Sequence, residues 1–377
     1  MSHSTWIEID QSALENNVTQ YKSWIPKTTG IAPVVKANAY GHGLYQIGHI
    51  HDQNKEVARL CVANSQEALQ LRSYKIKKPI LILSYVHEND IKDVIVNNID
   101  ITVSDMHTIN AINKEAIKLN KKVSIHLKID TGMSRFGIFP NQVDTYLNEI
   151  KNLKAIHLQG LFSHLSSSNK SRVVHEQEKL FEPFLDYDLE THLTNSLGAL
   201  NCQQTYSFTR IGLGLYGYLL TNKKQYQKAL QPVLSLKTTV VFTKQVEKNT
   251  YIGYQKLHKV KKTTKIAMLG IGYYDGLTPD LIGIGYVIIR GKYAQIISIN
   301  MNITTVDITN IPECTTHDTA TILGTDKDAH ISAYDWQILL NKNIRILFAA
   351  LEASIPRIVV NQKEIHISPQ PERHITL

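Results

Sequence analysis

Cysteine is scarce and scattered. Cys61, Cys202 and Cys314 are the only three in 377 residues, and no two form a CxxC pair. That usage excludes a disulfide framework and a zinc ribbon, and it suits a reducing compartment. Long apolar runs are missing too: none approaches the ~20 residues that a membrane-spanning helix needs. The opening "MSHSTWIEIDQSALENN" lacks the basic start and apolar stretch of a secretory signal. A soluble, cytoplasmic protein is the expectation. Among sixteen histidines no HxH or HExxH arrangement is expected to hold a metal, which argues against a metal-dependent hydrolase and for no metal site. The formal charge is +8, but the excess lysines are dispersed. Their one cluster, Lys259, Lys261, Lys262 and Lys265, has no interleaved aromatics and reads as a solvated loop rather than a nucleic-acid surface. A basic balance equally suits the binding of small anions.

What is present points to an ordered protein of about two domains, with 43% hydrophobic and 20% charged residues. Through residue 212, short apolar runs alternate with helical patterns. The runs are "IAPVVK" (31–36), "RLCVAN" (59–64), "PILILSY" (79–85), "DITVSD" (100–105), "VSIHLKID" (123–130), "LQGLFSHL" (158–165), "HLTNS" (192–196) and "FTRIG" (208–212). Segments such as "SQEALQLRSY" and "MHTINAINKEAIKLN" carry the helical pattern between them. Continuous apolar strands separated by helices pair in parallel, and eight such units match a (β/α)8 barrel. After residue 230, β-branched segments such as "VLSLKTTVVFTKQV" and "GYVIIRGKYAQIISI" take over and predict a β domain. The strand "TWIEID" suits either domain.

Barrels of this kind carry their chemistry at the C-terminal ends of the strands. Those ends hold Lys36 and Tyr40; Lys128, Asp130 and Arg135; His164; Asn195 and Ser196; Arg210 and Gly212. A single cation at a strand end is ordinarily just solvated, but this set converges on one rim and suggests an anion-binding reaction site. "RIGLGLYG" (210–217) has GxGxxG spacing without the long helix and downstream acid of a dinucleotide site. Its glycines still let backbone N–H groups approach a phosphate. Lysine forms Schiff bases with carbonyl cofactors, so a lysine beside a phosphate cradle points to pyridoxal phosphate.

The lysine motif "VVKANAYGHG" resembles the cofactor attachment motif of alanine racemases. "LKIDTGMSRFG" (127–137), "HLTNSLG" (192–198), "TRIGLGLYG" (209–217), "GIGYYDG" (270–276) and "IPRI" (355–358) match further family segments in order. The resemblance implies a pyridoxal-phosphate-binding barrel over 10–228. It also implies a β domain over 229–377 with strand 1–9, and a homodimer in which each β domain completes the partner's site. It assigns Lys36 as the Schiff-base lysine and one base, and Tyr273 as the opposing base. Tyr40, Ser196, Gly212 and Leu213 would hold phosphate, with Asn195 beside them. Arg210 would face the pyridine nitrogen with His164 nearby. Arg135 and the Met301 backbone would meet the substrate carboxylate, and Lys128 is a candidate for carbamylation. The implied role is supply of D-alanine for peptidoglycan.

Some positions depart from the family pattern: Asn300 and Asn302 flank Met301 where a thiol and a carboxylate are common, and Ala353 replaces a larger residue. These leave a serine or broad-specificity racemase as an alternative. A non-catalytic pyridoxal-phosphate carrier is a further one, which Tyr273 discriminates, because a carrier needs no second base.

Overall fold

The computed structural model describes residues 4–256 and 258–361. Residues 1–3 and 362–377, which the sequence reading included in the β domain, lie outside the described residues. The chain divides into two compact units. One comprises Ala13–Ala39 and Leu44–Gln231; the other comprises, among the described residues, 4–12, Tyr40–Gly43 and 232–361.

Eight short strands build the first unit: β2 (Gly30–Pro33), β3 (Leu60–Val62), β4 (Ile80–Ile82), β5 (Asp100–Val103), β6 (Val123–Lys128), β7 (Ile156–Phe162), β8 (Glu190–His192) and β9 (Phe208–Ile211); β1 is the N-terminal strand Thr5–Asp10. Strands β3 to β8 pair in parallel in sequence order, and β9 pairs in parallel with β2. Two seams close the ring. On one side the Val35 N–H donates to the Cys61 carbonyl (2.8 Å) and the Ala58 N–H to that of Ile31 (2.8 Å). On the other, the Ser207 N–H donates to Thr191 (2.9 Å) and the Arg210 N–H to Thr194 (3.2 Å). Each apolar run of the sequence thus becomes one barrel strand, as its burial on both faces requires. Two of the intervening helices start where a side chain caps them. Asn64 accepts from the Glu67 N–H at the head of Ser65–Ser73, and Asp105 accepts from the Thr108 N–H at the head of Met106–Lys118.

The barrel interior differs from the usual stack of branched aliphatics. Arg59, His126, His192 and Arg210 are all buried there, and their side chains touch across the ring.

The second unit is built on a nine-stranded sheet. Strand β1 settles into it, antiparallel to β10 (Leu234–Val246) and parallel to Arg357–Val360. The β-branched pattern after residue 230 gives strands as expected, but helices Ala333–Leu340 and Ile344–Ala349 interrupt them. The first starts on a capping box, in which Ser332 accepts from the Asp335 N–H while Asp335 accepts from the Ser332 N–H, and the second on Asn343, which accepts from the Arg345 N–H. Strand texture on either side masks them in the sequence.

Candidate active site

Strand β2 ends at Pro33, earlier than the run "IAPVVK" suggests, and the backbone then turns in an unusual way. Ala37, Asn38, Ala39 and Tyr40 all have φ between 52° and 54°, a left-handed turn of four non-glycine residues. Isolated glycine or asparagine visits this region; a run of L-residues there is strained. Side chains hold it. Glu67 accepts the Ala37 N–H at Oε1 (2.6 Å) and the Ala63 N–H at Oε2 (2.8 Å), tying the turn to the end of β3. Asn38 Oδ1 accepts the Leu44 N–H (2.7 Å). The turn sits directly after Lys36, so it sets how that amine leaves the strand end.

Around this lysine the barrel gathers cations. The Lys128 amine is buried, and burial, then the charges of Arg210, Arg135 and Lys36, lower its pKa to about 8 against the opposing pull of Asp130. Its Nζ lies over the rings of Phe136 (5.6 Å) and Phe162 (5.4 Å). His164 is held well below its ordinary range by burial and by Arg210, Lys128, Arg135 and Lys36, so it is neutral. These couplings bring together six of the residues singled out in the sequence: Lys36, Lys128, Asp130, Arg135, His164 and Arg210. Arg135 rides on the exposed loop after β6. Asp130 Oδ1 organises that loop by accepting the N–H groups of Gly132, Met133 and Ser134 (2.9, 2.8 and 3.1 Å). Gly137 lets it close, since a Cβ there would lie 2.6 Å from the Asp130 nitrogen at φ +131°.

Arg210, on β9, is buried against carbonyls. Its Nη2 donates to those of Ser163 (2.7 Å) and Leu193 (3.1 Å) and contacts His164 Nδ1 (3.2 Å). Burial lowers its pKa to about 10, leaving it charged at neutral pH. Past β9 the glycine stretch folds as a tight turn in which Ser196 Oγ accepts the N–H groups of Gly212 (3.1 Å) and Gly214 (3.3 Å). Leu213 lies between them. Tyr21 Oη clasps this turn by donating to the Ser196 carbonyl (3.0 Å) and filling the space where a Gly214 side chain would stand. Asn195 Oδ1 accepts from Ser168 Oγ (2.8 Å) and the Gly198 N–H (3.0 Å), shaping the same segment.

Tyr40, Tyr273 and Met301 belong to the other unit. There "GYYDG" forms the short helix Tyr273–Asp275, docked on the 300–301 turn: the Tyr273 N–H donates to Asn300 (3.0 Å) and the Tyr274 N–H to Met301 (3.0 Å). Both Tyr273 and Met301 are exposed. Gly41 follows Tyr40, and its carbonyl accepts from Nε (3.3 Å) and Nη2 (3.0 Å) of the buried Arg357. That arginine of "IPRI" therefore anchors the loop after the left-handed turn, and Ala353 contributes only its carbonyl to the same arginine. His49 and His51 do make an HxH pair, on the helix Leu44–Gln53. Among the described residues no three His, Cys, Asp or Glu side chains group as metal ligands.

Residues 9–220 match the family model "Alanine racemase, N-terminal domain", and residues 233–359 match "Alanine racemase, C-terminal domain". The chain belongs to the alanine racemase family. It is 36% identical over 378 residues to an alanine racemase of Methanococcus maripaludis, covering 96% of this chain and 100% of that one. Among solved structures, it resembles an alanine racemase of Clostridium difficile 630, with a TM-score of 0.89, 27% identity, and 95% and 96% of the two chains covered. It also resembles one from Bacillus anthracis with bound L-Ala-P, with a TM-score of 0.88, 28% identity, and 98% of each chain covered. Family membership accounts for the barrel followed by a mostly β unit.

The sequence reading passed over Arg59, Glu67, His126, His192 and Tyr21. A histidine in "SIHLK" and another in "ETHLT", each on a barrel strand and fully buried, were the available signal.

Proposed function

We propose that this protein is an alanine racemase that interconverts L- and D-alanine on pyridoxal phosphate. The observation that carries the reading is the set at the barrel strand ends: a lysine amine on a strained turn, a hydroxyl-and-glycine turn, and the guanidinium of Arg210. The donors fit the cofactor: an amine for its aldehyde, Ser196 with the Gly212 and Leu213 backbone for its phosphate, and Arg210 for its ring nitrogen. Tyr40 and Asn195 complete that cradle. When bound, pyridoxal phosphate supplies the electron sink that makes the α-proton of an amino acid removable.

The chain's own residues do the rest. Racemisation takes a proton from one face and returns one to the other, so two proton-transfer groups must flank the α-carbon. Lys36 Nζ serves one face, and Tyr273 Oη of a second copy of the chain serves the other. Arg135 and the Met301 backbone orient the carboxylate. Arg210, permanently charged, can donate a hydrogen bond to the ring nitrogen but does not give up its proton to it. His164 stays neutral beside it. The assembly is a homodimer, the setting the cytoplasm, and the product D-alanine for peptidoglycan.

The test is a chiral assay with added pyridoxal phosphate, run on alanine and serine in parallel. Racemisation of alanine is expected to dominate. Comparable serine turnover would shift the reading to a broad-specificity racemase, as the neutral Asn300 and Asn302 beside Met301 allow. No turnover of either, with a colourless protein, would overturn it.

A further inference from the structure

A line of four buried groups crosses the barrel interior. Arg59 Nη1 contacts His126 Nε2 (3.0 Å), His126 Nδ1 contacts His192 Nε2 (3.1 Å), and His192 Nδ1 contacts Arg210 Nη1. His192 is stacked between Phe162 (4.4 Å) and Phe208 (4.2 Å), so its ring cannot rotate away. Both imidazoles are wholly buried between two cations and are therefore neutral.

The hydrogens do not fit. A neutral imidazole has one N–H and one lone pair, and a guanidinium only donates. Two rings and two guanidinium groups bring four hydrogens to three contacts, so one contact must hold two hydrogens face to face. Among the described residues, Arg210 makes no ion pair with a carboxylate that could relieve such a clash, and no acceptor is seen between the two rings. At the Arg59 end there are two: Arg59 Nη1 also donates to Asp100 Oδ2 (3.1 Å) and Nη2 to Glu190 Oε2 (2.6 Å), while Glu190 Oε2 lies 3.9 Å from His126 Nε2.

We propose that His126 and Glu190 are positioning residues for Arg210, fixing one hydrogen-bond direction from the guanidinium through His192 and His126 towards the Glu190 carboxylate. In this arrangement both rings carry their hydrogen on Nε2. His192 presents its lone pair to Arg210, and the carboxylate at the far end makes that lone pair a better acceptor. The orientation of Arg210 is then set from the floor of the barrel. Its consequence for turnover rests on the racemase reading; the hydrogen-bond direction does not.

The first experiment uses the apoprotein labelled with 15N-histidine, with His126→Gln and His192→Gln identifying the signals. Both rings are expected as neutral Nε2–H tautomers. An Nδ1–H tautomer or a charged ring at either position overturns the proposal, and this measurement on the unmutated chain decides even if a variant fails to fold. The second uses the cofactor-loaded enzyme. Glu190→Gln, which removes charge but keeps shape, is expected to lower kcat roughly tenfold with KM for alanine little changed. The cofactor absorbance should shift, and Glu190→Asp should recover most of the rate. Unchanged kinetics and spectrum in Glu190→Gln would refute the link to Arg210. Correct tautomers in a protein that takes up no pyridoxal phosphate would support the direction and sink the racemase reading.

Discussion

The left-handed turn after Lys36 can be tested through the carboxylate that holds it. Four L-residues at φ near +53° cost about 1–2 kcal/mol each, so the turn stores roughly 4–8 kcal/mol. Glu67 offsets part of that with two charge-assisted hydrogen bonds, to Ala37 and Ala63, of about 1.5–3 kcal/mol each. Half-exposure of Glu67 puts each bond at the low end, about 1.5 kcal/mol, and only the one to Ala37 holds the turn itself; truncation also removes a first-turn acid from Ser65–Ser73, worth about 0.5 kcal/mol. Glu67→Ala should therefore disfavour the turn by about 2 kcal/mol, a factor of about thirty in population if the relaxed turn competes. Fluorescence titration with pyridoxal phosphate, followed by borohydride fixation and peptide mapping, should show apparent affinity ten- to thirtyfold weaker, with attachment still at Lys36. Glu67→Gln, which keeps one acceptor, should lose much less. Ala37 is exposed, so Ala37→Gly removes strain without removing packing and should leave affinity intact or raise Tm, whereas Ala37→Val should weaken binding. A Glu67→Ala protein with lower Tm but undiminished cofactor affinity would refute the argument, leaving Glu67 as a helix cap only.

Three further outcomes follow from the site. Tyr273→Phe should keep cofactor absorbance and lose about 10²–10⁴ in turnover; mixing it with Lys36→Ala should restore activity if sites are shared between copies, and failure of mixed dimers to recover any would argue against sharing. Arg210→Glu should raise the proportion of transamination products, measured as pyruvate formed per racemisation event, and an unchanged ratio would count against the role given to the guanidinium. Lys128, with its pKa lowered to about 8 by burial, has a neutral amine available near that pH, so intact mass under bicarbonate should show one added carbon dioxide, lost in Lys128→Met. The same shift predicts that its penalty on folding is full below about pH 8 and fades as pH rises towards the ordinary lysine value of 10.5, a slope that Lys128→Met should flatten.

Much of this was legible because barrel strands are local objects. Each needs only three or four buried residues, and two of the helices between them announce themselves with Asn64 and Asp105 caps. The strand-end polar residues were legible only as a set: one amine or guanidinium after an apolar run is ordinarily just solvated, but several converging on one rim call for another account. The left-handed turn was not legible, because "KANAY" has the composition of an ordinary helix start and the strain is imposed by Glu67, thirty residues on. Nor were the helices of 333–349, whose capping box lies inside a strand-rich stretch.

The interior line of histidines was hidden for a deeper reason. Sequence periodicity separates inward from outward positions, but it does not say which inward residues from β6, β8, β9 and the residue before β3 meet. Closing the ring puts Arg59 against His126 and His192 against Arg210, and only then do the charges have to balance. At the strand ends they do not balance within the barrel unit. Arg210 and Lys128 have carbonyls and aromatic faces for neighbours, and Asp130 has spent an oxygen on three backbone N–H groups. Burying positive charge without a matching carboxylate is costly. It becomes favourable when an anion with several oxygens completes the set, and the same field that lowers Lys128 draws that anion in. The cation excess at the rim is thus the physical reason this barrel should prefer a phosphorylated cofactor and a carboxylate substrate over neutral ligands of the same size.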